Sequence, residues 1–135
     1  GHFDSLKDTI IALQGSGIKV SLFIDPEEEQ IEAAAKLGAE MIELHTGSFA
    51  LAEGEPHQNE LSRLRLSADL AASLGLQVNA GHGIHRQNIN SLFSVKNLKE
   101  INVGHTLVSR ALFIGLRAAV AEMKALMAAY QGDQE

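Results

Sequence analysis

The sequence predicts an α/β protein of the TIM, or (β/α)8, barrel family, with this chain supplying about four β/α units, a half-barrel. Three observations predict it. Strand-like and helical segments alternate along the chain. Three of the strand-like segments follow a helix-ending glycine. Within each strand-like segment the aliphatic and polar residues fall on opposite faces. Alternation of helix and strand implies a parallel sheet with right-handed crossovers.

The elements follow in order. A helix is expected around Ser5 to Gln14, then a strand over "IKVSLFID" (18–25). The next helix is read from Pro26 to Leu37, with Asp25 as N-cap, Pro26 in the first turn and Glu27, Glu28 and Glu29 complementing the positive helix end. "MIELHTG" (41–47) is the second strand, a helix from about Asn59 to Leu74 follows, and "LQVNAGHG" (76–83) is the third strand. A short helix near Gln87 to Ser94 leads to a fourth strand, "EINVGHTL" (100–107). A last helix from about Leu107 to Ala129, with a break near Ile114-Gly115, precedes the polar tail "QGDQE", which is expected to fray. Gly17, Gly38 and Gly75 each sit between a helix and a strand, a weak internal repeat.

Side chains alternate faces along a strand. One face collects Val20, Leu22, Ile24, Ile42, Leu44, Val78, Ala80, Ile101 and Val103. The other collects Ser21, Phe23, Asp25, Met41, Glu43, His45, Gln77, Asn79, Gly81, Glu100, Asn102 and Gly104. A doubly wound sheet would bury both faces and make both apolar. A barrel explains the asymmetry better: aliphatics lie under helices, and polar groups look into a cavity at the carboxyl ends of the strands, where barrel enzymes keep their chemistry. A complete barrel needs eight strands and typically about 250 residues, whereas these 135 residues supply about half. The expectation is therefore either a piece of a longer barrel or a chain that pairs with another half, since open edge strands invite pairing.

Composition narrows the partners. A net charge of −6 and 4% aromatic residues argue against nucleic acid. No apolar run reaches the roughly 18 residues of a membrane span. The absence of cysteine excludes disulfides and thiolate metal sites and suits a cytoplasmic protein; "GHFDSLKDT" has no signal-peptide character.

Two stretches carry the chemistry. "VNAGHGI" (78–84) and "INVGHTL" (101–107) each end a strand in Asn, a small or aliphatic residue, Gly and His. Glycines there let a backbone approach a ligand, and a strand end opening a helix favours an anion. Gly83 and Gly104 are thus read as parts of a phosphate cradle, against the plain alternative of ordinary turn glycines. His82 is suited to proton transfer near neutral pH, against the alternative of a loop histidine making a hydrogen bond. Glu43 is a charge stabiliser or base, or else half of a structural ion pair. His105 is read as a phosphate contact beside Gly104. His45 reads better as a hydrogen-bonded packing histidine, and His2, His57 and His85 as surface or cap residues. No zinc-ligand spacing is present, so no metal is expected.

"GIKVSLFIDPEEEQIEAAAKLGAEMIELHTGSFA", "AASLGLQVNAGHGI" and "INVGHTLVSRALFIGLRAAVAEMKALM" together resemble the C-terminal half of the pyridoxine 5′-phosphate synthase family, over about residues 1–130. The resemblance implies a (β/α)8 barrel assembled as a homo-octamer of dimers. It implies condensation of 3-amino-2-oxopropyl phosphate with 1-deoxy-D-xylulose 5-phosphate to pyridoxine 5′-phosphate, phosphate and water, without cofactor or metal. By motif, His82 is similar to the family's proton donor and Glu43 to its transition-state stabiliser, while Gly83, Gly104 and His105 match positions binding the amino-ketone phosphate. The family's first four strands carry an Asn-x-Asp-His motif, phosphate-binding arginines, and a histidine and a glutamate that accept protons. None has a counterpart here, so this chain alone is expected to be inactive. The rival readings are another phosphate-binding barrel enzyme, for which Lys19 is badly placed as a Schiff-base lysine, and a non-catalytic half-barrel that oligomerises and holds phosphate.

Overall fold

The computed structural model describes residues 2–132. The predicted fraying tail at 131–135 lies, from 133 onward, outside the described residues. The element order is α1 (His2–Gly15), β1 (Ser21–Ile24), α2 (Glu28–Leu37), β2 (Met41–His45), α3 (Gly47–Leu51), α4 (Gly54–Ser73), β3 (Gln77–Gly81), α5 (Ile89–Leu92), β4 (Leu98–Asn102), α6 (His105–Ile114) and α7 (Leu116–Met127). The strands form one sheet in the order β1-β2-β3-β4, and every pairing is parallel.

The three junction glycines do what their positions require: Gly17, Gly38 and Gly75 all have φ near +80°, a region that costs a β-carbon-bearing residue about 1–2 kcal/mol. At the end of α2, the Gly38 N–H closes on the carbonyls of Ala34 and Ala35.

The registers place Phe23, Glu43, Asn79 and Glu100 in one row across the sheet, and Leu44 beside Ala80 and Ile101 in another. The predicted division of faces therefore holds. On the aliphatic face Ile42, Leu44, Val78 and Ala80 are fully buried under Ile31 and Ala34 of α2, Leu61, Leu64, Ala68 and Ala71 of α4, and Ile89 and Leu92 of α5. Each such large side chain contributes about 1.5–3 kcal/mol of transfer free energy. On the polar face Phe23 is exposed and Glu43 and His45 are only half buried.

The fourth strand departs from its predicted span. It starts two residues earlier than "EINVGHTL" suggests and ends at Asn102. A bulge between Val78 and Asn79 sets Val78 against Leu98 but Asn79 against Glu100. The unpaired residue, Lys99, switches the parity, so Leu98 packs into the core while Glu100 and Asn102 stay on the polar face. Beyond it, Gly104 turns the chain and helix α6 begins at His105, accepting the N–H groups of Leu107 and Val108 on the Gly104 carbonyl.

Two other boundaries move. Helix α4 begins five residues before the predicted Asn59, and a short helix, α3, occupies residues read as strand end and loop. Asp25 is not the N-cap of α2: that position is Glu27, and its side chain makes no capping bond. The turn is closed instead by Gln30, whose Oε1 accepts the Asp25 N–H at 3.0 Å. The break predicted near Ile114-Gly115 is present, with Gly115 at φ +82° separating α6 from α7.

Candidate active site at the carboxyl ends of the strands

Glu43, His82, Gly83, Gly104 and His105 lie around one concavity of about 550 Å³, with Phe23, Ile101, Asn102, Val103 and Thr106 completing its wall. They come from β2, the loop after β3 and the junction of β4 with α6. Segments 21 or more positions apart in sequence are thus brought to one end of the sheet by parallel pairing alone.

Glu43 reaches across the sheet. Its Oε2 accepts a hydrogen bond of 2.6 Å from the Asn102 side-chain amide on β4, two strands away. The carboxylate passes over β3 at Gly81, which is paired with both His45 and Asn102. A β-carbon at Gly81 would collide with the Glu43 carboxylate and sit 3.1 Å from the Asn102 Cβ. The glycine in "NAGHG" that reads as a turn residue is therefore also the gap through which an acid crosses the sheet.

The loop carrying His82 is pinned by four successive carbonyls. Gly81 O accepts the Thr46 backbone N–H at 2.8 Å. Thr46 Oγ1 lies 2.7 Å from Gly81 O and 2.6 Å from His82 O. A hydroxyl has one proton, shared between these two carbonyls, of which His82 O is the nearer and Gly81 O also accepts the amide. Gly83 O accepts from Asn88 Nδ2 at 3.1 Å, and Ile84 O from Thr106 Oγ1 at 2.6 Å. In a trans peptide the next N–H points opposite to the carbonyl, so tying His82 O to Thr46 turns the Gly83 N–H away from it. His82 itself takes φ +82° and Gly83 φ +75°. A non-glycine residue in that region marks backbone held against its own preference by its surroundings.

The His82 ring packs edge-on against His45, with centroids 4.7 Å apart, and His45 packs edge-on against Phe23 at 5.2 Å. His45 Nδ1 lies 3.2 Å from Asp25 Oδ1, which is where the misassigned capping residue directs its carboxylate. His45 is thus hydrogen-bonded and packed, as its sequence context suggested. His85 accepts the Gln87 N–H on its ring nitrogen, and its own N–H caps onto Asn88, a cap role as read.

Positive charge is sparse at this concavity: its lining contains two histidines and neither lysine nor arginine. Arg86 and Arg110 lie close by in the fold, but both are bound to Glu122, at 3.1 Å and 2.9 Å. Those contacts, Arg110 first, hold the Glu122 carboxyl below its ordinary range. Among the described residues no group of three potential ligands could hold a metal ion. No helix among them is long and apolar enough to cross a membrane.

Sequence reasoning missed Thr46, Asn88 and Thr106, whose side chains orient the loop; Thr106 also lines the concavity. The signal was present in the side-chain types: Thr and Asn beside glycine-rich turns commonly bond nearby carbonyls.

A family described as "Pyridoxal phosphate biosynthesis protein PdxJ" matches residues 1–129. The chain belongs to this family. A curated relative from Akkermansia muciniphila, named pyridoxine 5′-phosphate synthase, is 56% identical over 124 residues. That alignment covers 91% of this chain and 50% of the relative, so the chain spans about half the length of the curated relative it matches. All five predicted site residues fall inside the family match, in the motifs "IELHTG", "NAGHG" and "NVGH".

Proposed function

We propose that this chain provides the amino-ketone phosphate side of a pyridoxine 5′-phosphate synthase site. The reaction is condensation of 3-amino-2-oxopropyl phosphate with 1-deoxy-D-xylulose 5-phosphate to pyridoxine 5′-phosphate, phosphate and water. One observation carries the reading: the convergence of Glu43, His82, Gly83, Gly104 and His105 on a single concavity at the strand ends. Membership of the family supports it.

The roles follow from residue chemistry. The phosphate sits at the Gly83 amide and at the start of α6, where Gly104 and His105 place first-turn N–H groups and the positive end of the helix. His82 donates protons as oxygen leaves, a task suited to a group that titrates near neutral pH. Glu43, oriented by Asn102, offsets positive charge on an imine-like intermediate.

The remaining cations, and the groups that accept protons, belong to another half-barrel. Three features support this. Among the described residues, the lining lacks lysine and arginine, Phe23, Glu100 and Asn102 of the polar face are exposed, and β1 and β4 each pair on one side only. Residues 1–130 then form the C-terminal half of a (β/α)8 barrel, and the site is complete when β1 and β4 pair with the strands of the other half. Leu112 and Phe113 of α6, both more than 80% exposed, support burial in a larger assembly, the octamer of the family included. A cytoplasmic location suits this biosynthetic role.

The test is formation of pyridoxine 5′-phosphate from the two substrates. These 135 residues alone give little or no product, and adding the other half restores turnover. In the restored enzyme His82→Asn and Glu43→Gln each lower kcat by about a hundredfold or more. Turnover by these 135 residues alone at the rate of a complete synthase contradicts the division of the site. Undiminished turnover by His82→Asn in the restored enzyme contradicts the assignment of the proton donor.

A further inference from the structure

We infer that His45, held by Asp25, is a positioning residue for the His82 imidazole. The inference rests on the proposed role of His82, but its geometry is independent of that role.

His82 is exposed, and its backbone is fixed by Thr46. Nothing in that backbone clamp selects a ring orientation. The ring contact is His45, edge-on at 4.7 Å and 64°. Gly47 provides the room for this packing. A β-carbon there would lie 2.7 Å from His45 Nε2 and 3.1 Å from His82 Cδ2, so both rings converge on the surface of one glycine.

Asp25 sets which edge His45 presents. Its Oδ1 lies 3.2 Å from His45 Nδ1, which places the proton on Nδ1 and leaves Nε2 on the side shared with His82 and Gly47. The side chains of the pair are 31% and 53% exposed. An ion pair so open to water contributes little by charge, so its effect is on orientation. Phe23, from β1, closes the other side of the His45 ring. The other ionisable groups on the wall occupied by His82 are Glu43 from β2 and His105 from α6. Asp25, His45, Gly47 and His82 thus form a line from the end of β1 to the loop after β3.

Two readouts test this, spectra of the full chain and turnover of the enzyme completed by the other half. Imidazole ¹H–¹⁵N correlation spectra report the tautomer of His45 and the environment of the His82 ring. Turnover separates kcat from KM. Asp25→Asn keeps an acceptor, so His45 stays protonated on Nδ1 and most of the turnover is retained. Asp25→Leu removes the acceptor, which shifts the His45 tautomer, moves the His82 resonances and lowers kcat by about tenfold with KM for the phosphorylated substrates unchanged. His45→Leu does the same to His82. The inference is overturned if His82 resonances and kcat in Asp25→Leu match those of Asp25→Asn, or if KM rises while kcat holds. If the unsubstituted enzyme completed by the other half forms no pyridoxine 5′-phosphate, the functional reading fails and the His82 resonances alone decide this one.

Discussion

Glu43 on β2 and Asn102 on β4 are joined by a 2.6 Å hydrogen bond that passes over the intervening strand at Gly81. The contact ties an acid proposed to face the reaction to the last strand of the sheet. It exists because one position of β3 has no side chain. Gly81→Ala forces the carboxylate aside, at an expected cost of about 1–3 kcal/mol, the range for overpacking a filled site. Urea denaturation reads the stability change. Loss of the Asn102 amide shift that reports the bond reads the displacement.

The Thr46 hydroxyl is the donor for a carbonyl that fixes the His82 loop, and Thr46 is fully buried. Thr46→Val keeps the shape and leaves that carbonyl without its partner, a loss of about 1–3 kcal/mol. Thr46→Ser retains the hydroxyl and most of the stability. Equal destabilisation by the two substitutions in urea melts would show that the methyl group, rather than the hydroxyl, matters.

His82 sits at φ +82°. A residue with a β-carbon is strained there and glycine is not, whereas glycine loses more entropy on folding. The balance makes His82→Gly more stable than His82→Ala by about 1 kcal/mol. Both remove the proton donor, so stability and turnover part company: thermal or urea unfolding separates the two variants while neither forms product.

Stability at acid pH involves two carboxyls away from the concavity. Glu40 is held below the ordinary glutamate value of 4.5, first by the Gln14 side chain and then by the Val20 N–H, bonded at 2.9 Å. Glu122 is lowered in the same direction by Arg110 and Arg86. A carboxyl with a depressed folded value binds fewer protons folded than unfolded. Its contribution is therefore complete above 4.5 and is lost as pH falls through the depressed value. Glu40→Gln and Glu122→Gln flatten the acid limb of a stability–pH curve and leave its slope between pH 6 and 8, which lies above the range named here, unchanged.

The faces of the strands were legible because parity depends only on residue type along an extended chain. Glu43, Asn79 and Asn102 group together by parity, and the three junction glycines are marked by the alternation of helix and strand. Strand ends were less legible. "EINVGHTL" carries strand-like residues through Leu107, yet Gly104 turns the chain and His105 opens a helix, a change governed by hydrogen bonding across the β4–α6 junction. The bulge at Lys99 has no composition signal of its own. Asp25 before Pro26 reads as a cap by local rule, but His45 lies 20 residues away and competes for the carboxylate. Thr46 and Thr106 serve a loop contributed by another segment, so their roles appear only once the strands are paired, whereas Asn88 bonds that loop from five residues away.

Gly83, Gly104 and His105 are proposed to form one anion site at the strand ends. It is tested most directly by titrating the full chain with inorganic phosphate and following backbone amide shifts. Saturable shifts are expected at Gly83, Gly104 and His105, weakened by His105→Ala. Shifts confined to Arg86 and Arg110, with those three amides unmoved, would contradict it.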